Sequence, residues 1–338
     1  MNVLILSPRL DVTFKEGPVP DQRGSIPPIR IHYKNFIESL EKSHREKRDN
    51  VTILEKPLWQ FSKTNMEEID QWEKQYDLVY FPHKNNFQLP QFLYSKLRIK
   101  YYMQMVFPWL FQVDDQGWGP TSAVYPIMAS PKTVKNNEFI NLLRNKQKQG
   151  KSKFDQPLTS EWNEKDYVLF VCQIPHDESI KFHGNGVSVI EALSHTVNWC
   201  LANNKKLIIK GHPVNPGSMQ EMKNTFPESK FNWKDSMNIN DLLKNSRIVV
   251  TVNSGVGMEA LLYNKPVVIF GKADYDRIVY RATRSDFHII MDNVWTRPEL
   301  ETFHYTTNTN ENFLSEYYST MVDTSKYESV KNYVDKLN

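Results

Sequence analysis

Between residues 167 and 270, short apolar runs alternate with segments of helical spacing, and this alternation constrains the fold more than any other feature of the chain. Residues 167–171 (YVLFV), 206–210 (KLIIK), 248–252 (IVVTV) and 266–270 (PVVIF) read as strands. Between them, 187–202 carries Val, Ile, Leu and Trp at helical spacing, and 239–244 and 256–263 read as shorter helices. Strands and helices joined by mostly short connections are the signature of a doubly wound, nucleotide-binding α/β layer.

The first half repeats the theme less clearly. An apolar run, Val3-Leu4-Ile5-Leu6, precedes a Pro/Gly-rich loop over 17–28 and a charged helix over 31–48. Strands are expected at 51–54 and 76–81 (YDLVYF), with further apolar runs at 99–104 and 109–113. A second α/β domain with a mainly parallel sheet follows. A length of 338 residues suits two domains of about 150 each. The expected division is 1–160, 161–310 and a helical tail over 311–338 that packs back on the first domain. No internal repeat of fixed period is present.

Composition narrows the class. Aromatics at 12% and only 12 glycines exclude disorder, collagen and low-complexity scaffolds. A balance of 42 basic and 39 acidic residues does not call for nucleic acid as partner. No apolar run approaches the ~18–20 residues that span a bilayer. The start, Met1-Asn2-Val3-Leu4, has no signal-peptide pattern. Cys172 and Cys200 form no CxxC motif and are expected as reduced core thiols. A cytoplasmic protein is the expectation. The basic stretch Arg144, Lys146, Lys148, Lys151 and Lys153, ending near Pro157, reads as a solvated helix and interdomain linker. Its alternative is a surface for anionic lipid or an anionic glycan, which would place the protein peripherally at the inner face of a membrane.

In a parallel sheet, ligands bind beyond the carboxyl ends of the strands. Four constellations stand there in the second half. Asp177 and Glu178, after YVLFV in Gln173-Ile174-Pro175-His176-Asp177-Glu178-Ser179-Ile180, are either acids at the mouth of the sheet or helix-capping acids. Lys210-Gly211-His212-Pro213 turns sharply after KLIIK and can present Lys210 and His212 to phosphate or carboxylate; an ordinary turn is the alternative. Asn253-Ser254-Gly255-Val256-Gly257-Met258-Glu259 opens a helix after IVVTV. Its backbone N–H groups can meet an anion, with the glycines permitting close approach. The alternative is a plain helix cap. Gly271-Lys272-Ala273-Asp274-Tyr275-Asp276 contains a D-x-D that reads as a pair of exposed loop acids, with a metal–diphosphate site as the alternative. In the first half, Asp114-Asp115-Gln116-Gly117 reads as an acidic turn, or as a source of a carboxylate for an interdomain cleft. G-x-G-x-x-G, Walker A, HExxH and G-x-S-x-G patterns are all missing.

Three blocks, VLFVCQIPHDESI, IIKGHP and VVTVNSGVGMEALLYNKPVVIFG, occur in that order. Together they resemble the capsule polysaccharide synthesis family, which includes the retaining β-Kdo transferases. The matching positions are Gln173, Asp177, Ser179 and Ile180, then Lys210, His212 and Pro213, then Ser254, Gly257, Glu259, Ala260, Leu261, Leu262, Lys265 and Val267. The resemblance implies a GT-B fold, two Rossmann-like domains facing a cleft, with the nucleotide sugar in the C-terminal half and a glycan or glycolipid acceptor in the N-terminal half. It implies CMP-Kdo as donor, no metal and no other cofactor. It makes Asp177 the nucleophile. Lys210 and His212 would face the leaving phosphate. Ser254, Gly255 and Gly257 would hold phosphate and Glu259 the ribose, with Gln173, Ser179 and Pro213 completing the donor site. Asp114 or Asp115 is the acid/base by position. The family's Pro in K-P-H-P is Gly211 here, and its Pro-Phe-Tyr-Ala-Gly-Trp-Gly run is replaced by Lys272-Ala273-Asp274-Tyr275-Asp276.

Three functional readings follow: a transferase using a CMP-linked sugar, a metal-dependent sugar transferase working through Asp274 and Asp276, and a non-catalytic polysaccharide-binding or assembly protein on the same scaffold. The oligomeric state is left open.

Overall fold

The structure, a computed structural model, describes residues 1–8, 28–61, 63–82, 96–125, 135–213, 216–296 and 307–337. Most of the Pro/Gly-rich loop 17–28 lies outside them. The chain forms two compact units, Met1–Tyr125 with Tyr318–Asn338, and Pro126–Tyr317.

The first unit is built on six strands: β1 (Asn2–Pro8), β2 (Asn50–Lys56), β3 (Leu78–Pro82), β4 (Arg98–Gln104), β5 (Leu110–Asp114) and β12 (Val322–Asp323), in the order β12-β5-β4-β3-β1-β2. β2, β1, β3 and β4 run parallel, whereas β5 and β12 join as an antiparallel edge. Successive residues of β1 serve opposite faces, as the pleat requires. Val3 and Ile5 pack with Phe36, Leu40 and Phe111, while Leu4 and Leu6 pack with Phe61, Ile69 and Trp72. The helix Tyr327–Asp335 belongs to this unit. Its Val330 and Val334 enter the core beside Phe36 and Leu40, and Lys47 Nζ donates to the Val334 carbonyl at 3.0 Å. The tail also contributes β12, a two-residue strand too short for periodicity to reveal.

The second unit carries β6 (Tyr167–Val171), β7 (Leu207–Lys210), β8 (Asn232–Trp233), β9 (Ser246–Thr251), β10 (Val267–Ile269) and β11 (Tyr280–Arg281). Their order is β11-β10-β9-β6-β7-β8, and every pair is parallel. The chain starts at β6, winds outward through β7 and β8, then returns to lay β9 on the other side of β6. This is the doubly wound order, with its topological switch between β6 and β9. The helices Val189–Ala202 and Phe287–Thr296 cover one face through Leu193, Val197, Trp199, Phe287 and Met291. Cys172 and Cys200 are buried free thiols, as expected, and burial pushes Cys200 up to about 12.

The boundary between units falls after Tyr125, well before 160. Residues 150–160 lie within the second unit rather than between the two, and are laced onto the start of the helix Ile239–Asn245. Asn238 Nδ2 donates to the carbonyls of Gly150 and Pro157 at 2.9 and 2.8 Å. Ile239 N donates to Gln156 Oε1 at 3.1 Å, and Ser160 N to Asp241 Oδ2 at 2.8 Å. Within the preceding helix, Asn137–Lys148, Arg144 pairs with the buried Glu311, so its charge is committed inside the unit.

Candidate active site

The switch between β6 and β9 is bridged by one side-chain amide. Gln173, the second residue past β6, donates from Nε2 to Asn253 Oδ1 at 2.8 Å. Its Oε1 accepts from Asn253 N at 2.9 Å and from Thr251 Oγ1 at 3.1 Å. Asn253 then donates from Nδ2 to the Ser179 carbonyl at 2.8 Å. These bonds hold the loops after β6 and β9 in one arrangement, so Gln173 acts as a positioning residue here rather than as a ligand group.

Asp177 caps the helix Glu178–His183. Its Oδ1 accepts from Ser179 N at 2.8 Å. Asp177 is thus the helix cap, and it is exposed on the loop after β6. The cap uses Oδ1 alone. Next to it, burial and the Asp177 charge raise the carboxyl of Glu178 above its ordinary range.

β7 delivers Lys210 and His212 differently from each other. Lys210 is 2% exposed, and its ammonium donates to the Asp235 carbonyl at 2.5 Å. It serves the loop rather than reaching outward. Gly211 N donates to Asp235 Oδ1 at 2.8 Å, and a Cβ on Gly211 would stand 2.6 Å from that oxygen. Asp235 Oδ2 is held in turn by Lys223 at 2.6 Å. The glycine in place of the family's proline thus matches a carboxylate that needs the N–H. His212 lies half-buried with the Phe154 ring edge-on, centroids 5.2 Å apart. Burial pulls its imidazole down to about 4, against the attraction of Asp177. It is a neutral donor or acceptor at pH 7.

After β9, Ser254 Oγ accepts from Val256 N at 3.2 Å at the start of the helix Val256–Leu261. Gly257 has a packing reason to be glycine. A Cβ there would sit 2.6 Å from Cζ of Tyr275, whose hydroxyl donates to the Ser254 carbonyl. Glu259 is 8% exposed. It accepts from Ser152 Oγ at 2.8 Å and from the Lys153 backbone N–H. Burial raises its carboxyl to about 7, with Ser152 and Lys153 opposing.

The acids of the D-x-D are buried, not exposed. Asp274 is 7% exposed and Asp276 is 1% exposed. Burial and the Asp276 charge raise Asp274 to about 7, and Arg281 stands 3.9 Å from Asp276. Among the described residues no group of three or more His, Cys, Asp or Glu could hold a metal ion. In the first unit, Asp114 accepts from the backbone N–H groups of Gln116, Gly117 and Ala123, which makes it the organiser of its turn. Asp115 is exposed and pairs with Lys100. Pro213 is exposed beside His212.

Asp177, after β6, and His212, after β7, are within electrostatic reach of each other, and Glu259 lies in the helix that follows β9. With them comes a residue that the sequence reading had assigned to a linker. Lys153 lies within electrostatic reach of Asp177, Glu259 and His212. Ser152 and Phe154 flank it on Glu259 and His212. The signal was present in Lys151-Ser152-Lys153-Phe154, but a Ser and a Phe inside a basic run do not announce a site without the fold.

Two solved structures of KpsC from Thermosulfurimonas dismutans share this architecture. The β-Kdo 2,4 transferase superposes with a TM-score of 0.57 at 15% identity, over 99% of this chain and 98% of that one. The β-Kdo 2,7 transferase superposes with a TM-score of 0.53 at 13% identity, over 99% of each. With two parallel-rich Rossmann-like sheets, the fold is of the GT-B class. Residues 130–300 match the model of the family described as capsule polysaccharide biosynthesis protein, and the chain belongs to that family. It is also similar to the capsule polysaccharide export protein KpsS of Escherichia coli, 29% identical over 120 residues. Protein FixF of Sinorhizobium fredii is 31% identical over 112 residues. These matches cover 32% of this chain and 31% and 27% of the two relatives, so the chain matches about a third of their length. No helix among the described residues is long and apolar enough to cross a membrane.

Proposed function

We propose that this chain is a glycosyltransferase of capsule or related surface-polysaccharide synthesis, moving a sugar from a CMP-linked donor, Kdo by analogy with the KpsC transferases, to a glycan or glycolipid acceptor. The observation that carries the reading is that Asp177 and His212 lie within electrostatic reach of each other on the loops after β6 and β7, beside the topological switch of a doubly wound sheet, where such folds bind nucleotides.

In the proposed reaction an Asp177 carboxylate oxygen attacks the anomeric carbon. The bond from that carbon to the phosphate oxygen breaks, and its electron pair leaves with CMP. The acceptor hydroxyl then attacks the same carbon, the ester bond to Asp177 breaks, and its electrons return to the carboxylate. Two inversions give net retention. The hydroxyl proton passes to a base; of the two acids expected for that role, Asp115 is exposed, whereas Asp114 is held by three backbone N–H groups. His212, neutral at pH 7, offers a hydrogen bond to the departing phosphate. Glu259, anchored by Ser152, faces the ribose. The donor-site residues lie within the second unit. Catalysis at the inner face of a membrane is consistent with a lipid-linked acceptor.

The test is transfer or donor hydrolysis by pure protein offered CMP-Kdo and other nucleotide sugars, with and without EDTA. The reading expects CMP release that EDTA leaves unchanged and that Asp177→Asn abolishes. Activity lost to EDTA would favour a metal-dependent transferase. Nucleotide binding without turnover of any donor would favour a non-catalytic assembly protein.

A further inference from the structure

We infer that Lys153, carried on the Ser152–Lys153–Phe154 strap, is the residue that binds the phosphate of a nucleotide ligand at this site. The inference rests on the transferase reading and goes beyond it by naming where the counter-charge comes from. A phosphate brought to the ends of β6, β7 and β9 needs positive charge or several N–H donors. Lys210, the lysine that the K-x-H-P pattern offers, has its buried ammonium on the Asp235 carbonyl at 2.5 Å. His212 is uncharged at pH 7, because burial pulls it down to about 4.

Lys153 has the right placement. The strap is fixed on one side by Ser152 Oγ, which donates to Glu259 Oε1 at 2.8 Å, and by the Lys153 N–H on the same carboxyl. On the other side the Phe154 ring meets His212 edge-on at 5.2 Å. The Lys153 ammonium stands 5.9 Å from the Phe154 ring centre and within reach of both Asp177 and Glu259. Burial lowers its affinity for a proton, and the two carboxylates restore part of it. The ammonium is thus carried by a fixed strap within electrostatic reach of both the proposed nucleophile and the proposed ribose acid. A lysine on a flexible surface loop would lose more backbone entropy on binding; the strap that carries this one is already fixed on Glu259 and His212.

The experiment is calorimetric titration of CMP and of cytidine into the full chain and into Lys153→Met, Lys153→Gln and Lys153→Arg. Thermal melts without ligand confirm that each variant folds, and Lys153→Gln carries the test if Lys153→Met does not fold. The expected result is CMP binding weakened about 10- to 100-fold by removal of the charge, which is the usual range for a charged hydrogen bond. Cytidine, which lacks the phosphate, should bind the variants as it binds the parent, and Lys153→Arg should regain most of the CMP affinity. Unchanged CMP binding in a folded, uncharged variant overturns the inference. So does equal weakening of CMP and cytidine, which a merely structural role would give. Failure of the parent to bind either ligand would overturn the CMP-donor reading itself, and the inference with it.

Discussion

Glu259→Gln should stabilise the second unit at high pH and change it much less at low pH. The carboxyl is 8% exposed, and burial raises it from 4.5 to about 7. A carboxyl raised by folding prefers its proton in the folded state. Its favourable contribution is fully present below the unfolded value of 4.5 and is lost as pH rises through about 7. A shift of about 2.5 units is worth about 3.4 kcal/mol when complete. Integrating the linkage between pH 5 and pH 9 leaves about 2.5 kcal/mol of stability that the wild type loses and the glutamine variant does not. The Ser152 hydroxyl can still donate to a glutamine oxygen, so the packing change is small. Urea titrations of both proteins at pH 5 and pH 9 read this directly, because titrating groups remote from Glu259 cancel in the difference. In thermal melts the extra gap at pH 9 should be roughly 5–10 °C for a domain of this size. An equal stability difference at the two pH values would refute the reasoning, and would mean that Lys153 and Ser152 hold Glu259 ionised despite its burial.

Other substitutions test the loops around the site. Gly211→Pro, which restores the family's residue, removes the N–H donated to Asp235 and places ring atoms against that carboxylate; a loss of about 1–3 kcal/mol is expected in urea denaturation. Gly257→Ala should displace the Tyr275 ring and cost about 1–3 kcal/mol, with Tyr275→Leu largely relieving the clash in the double variant. Asp114→Ala should lower stability by about 2 kcal/mol or more by stranding three backbone N–H groups, whereas Asp115→Asn should leave stability nearly unchanged and lower transfer.

Much of this architecture was legible because buried parallel strands write themselves as short apolar runs. Residues 167–171 coincide with β6, and 248–252 and 266–270 overlap β9 and β10. The two-residue strands β8, β11 and β12 have no period to detect, and they owe their pairing to neighbouring strands. The antiparallel edge of the first unit was hidden for a related reason, since an apolar run carries no direction. At the site, the residue types were readable but not their allegiance. Lys210 and Gln173 looked like ligand groups, yet one is spent on the Asp235 carbonyl and the other on Asn253. Asp235 lies far along the chain from Gly211, so nothing local hinted at the pairing. Lys153 was hidden by its company, because a basic run usually marks a solvated face.

The central claim is that Asp177 carries chemistry at the β6–β9 switch, and the most direct measurement is CMP release from CMP-Kdo by the parent and by Asp177→Asn, alongside CMP affinity for both. The account predicts release by the parent, loss of at least about 1000-fold in the variant, as removal of a covalent nucleophile entails, and CMP affinity within a few-fold between them. Release that persists in Asp177→Asn, or a parent that binds CMP and turns over no nucleotide sugar, would contradict it.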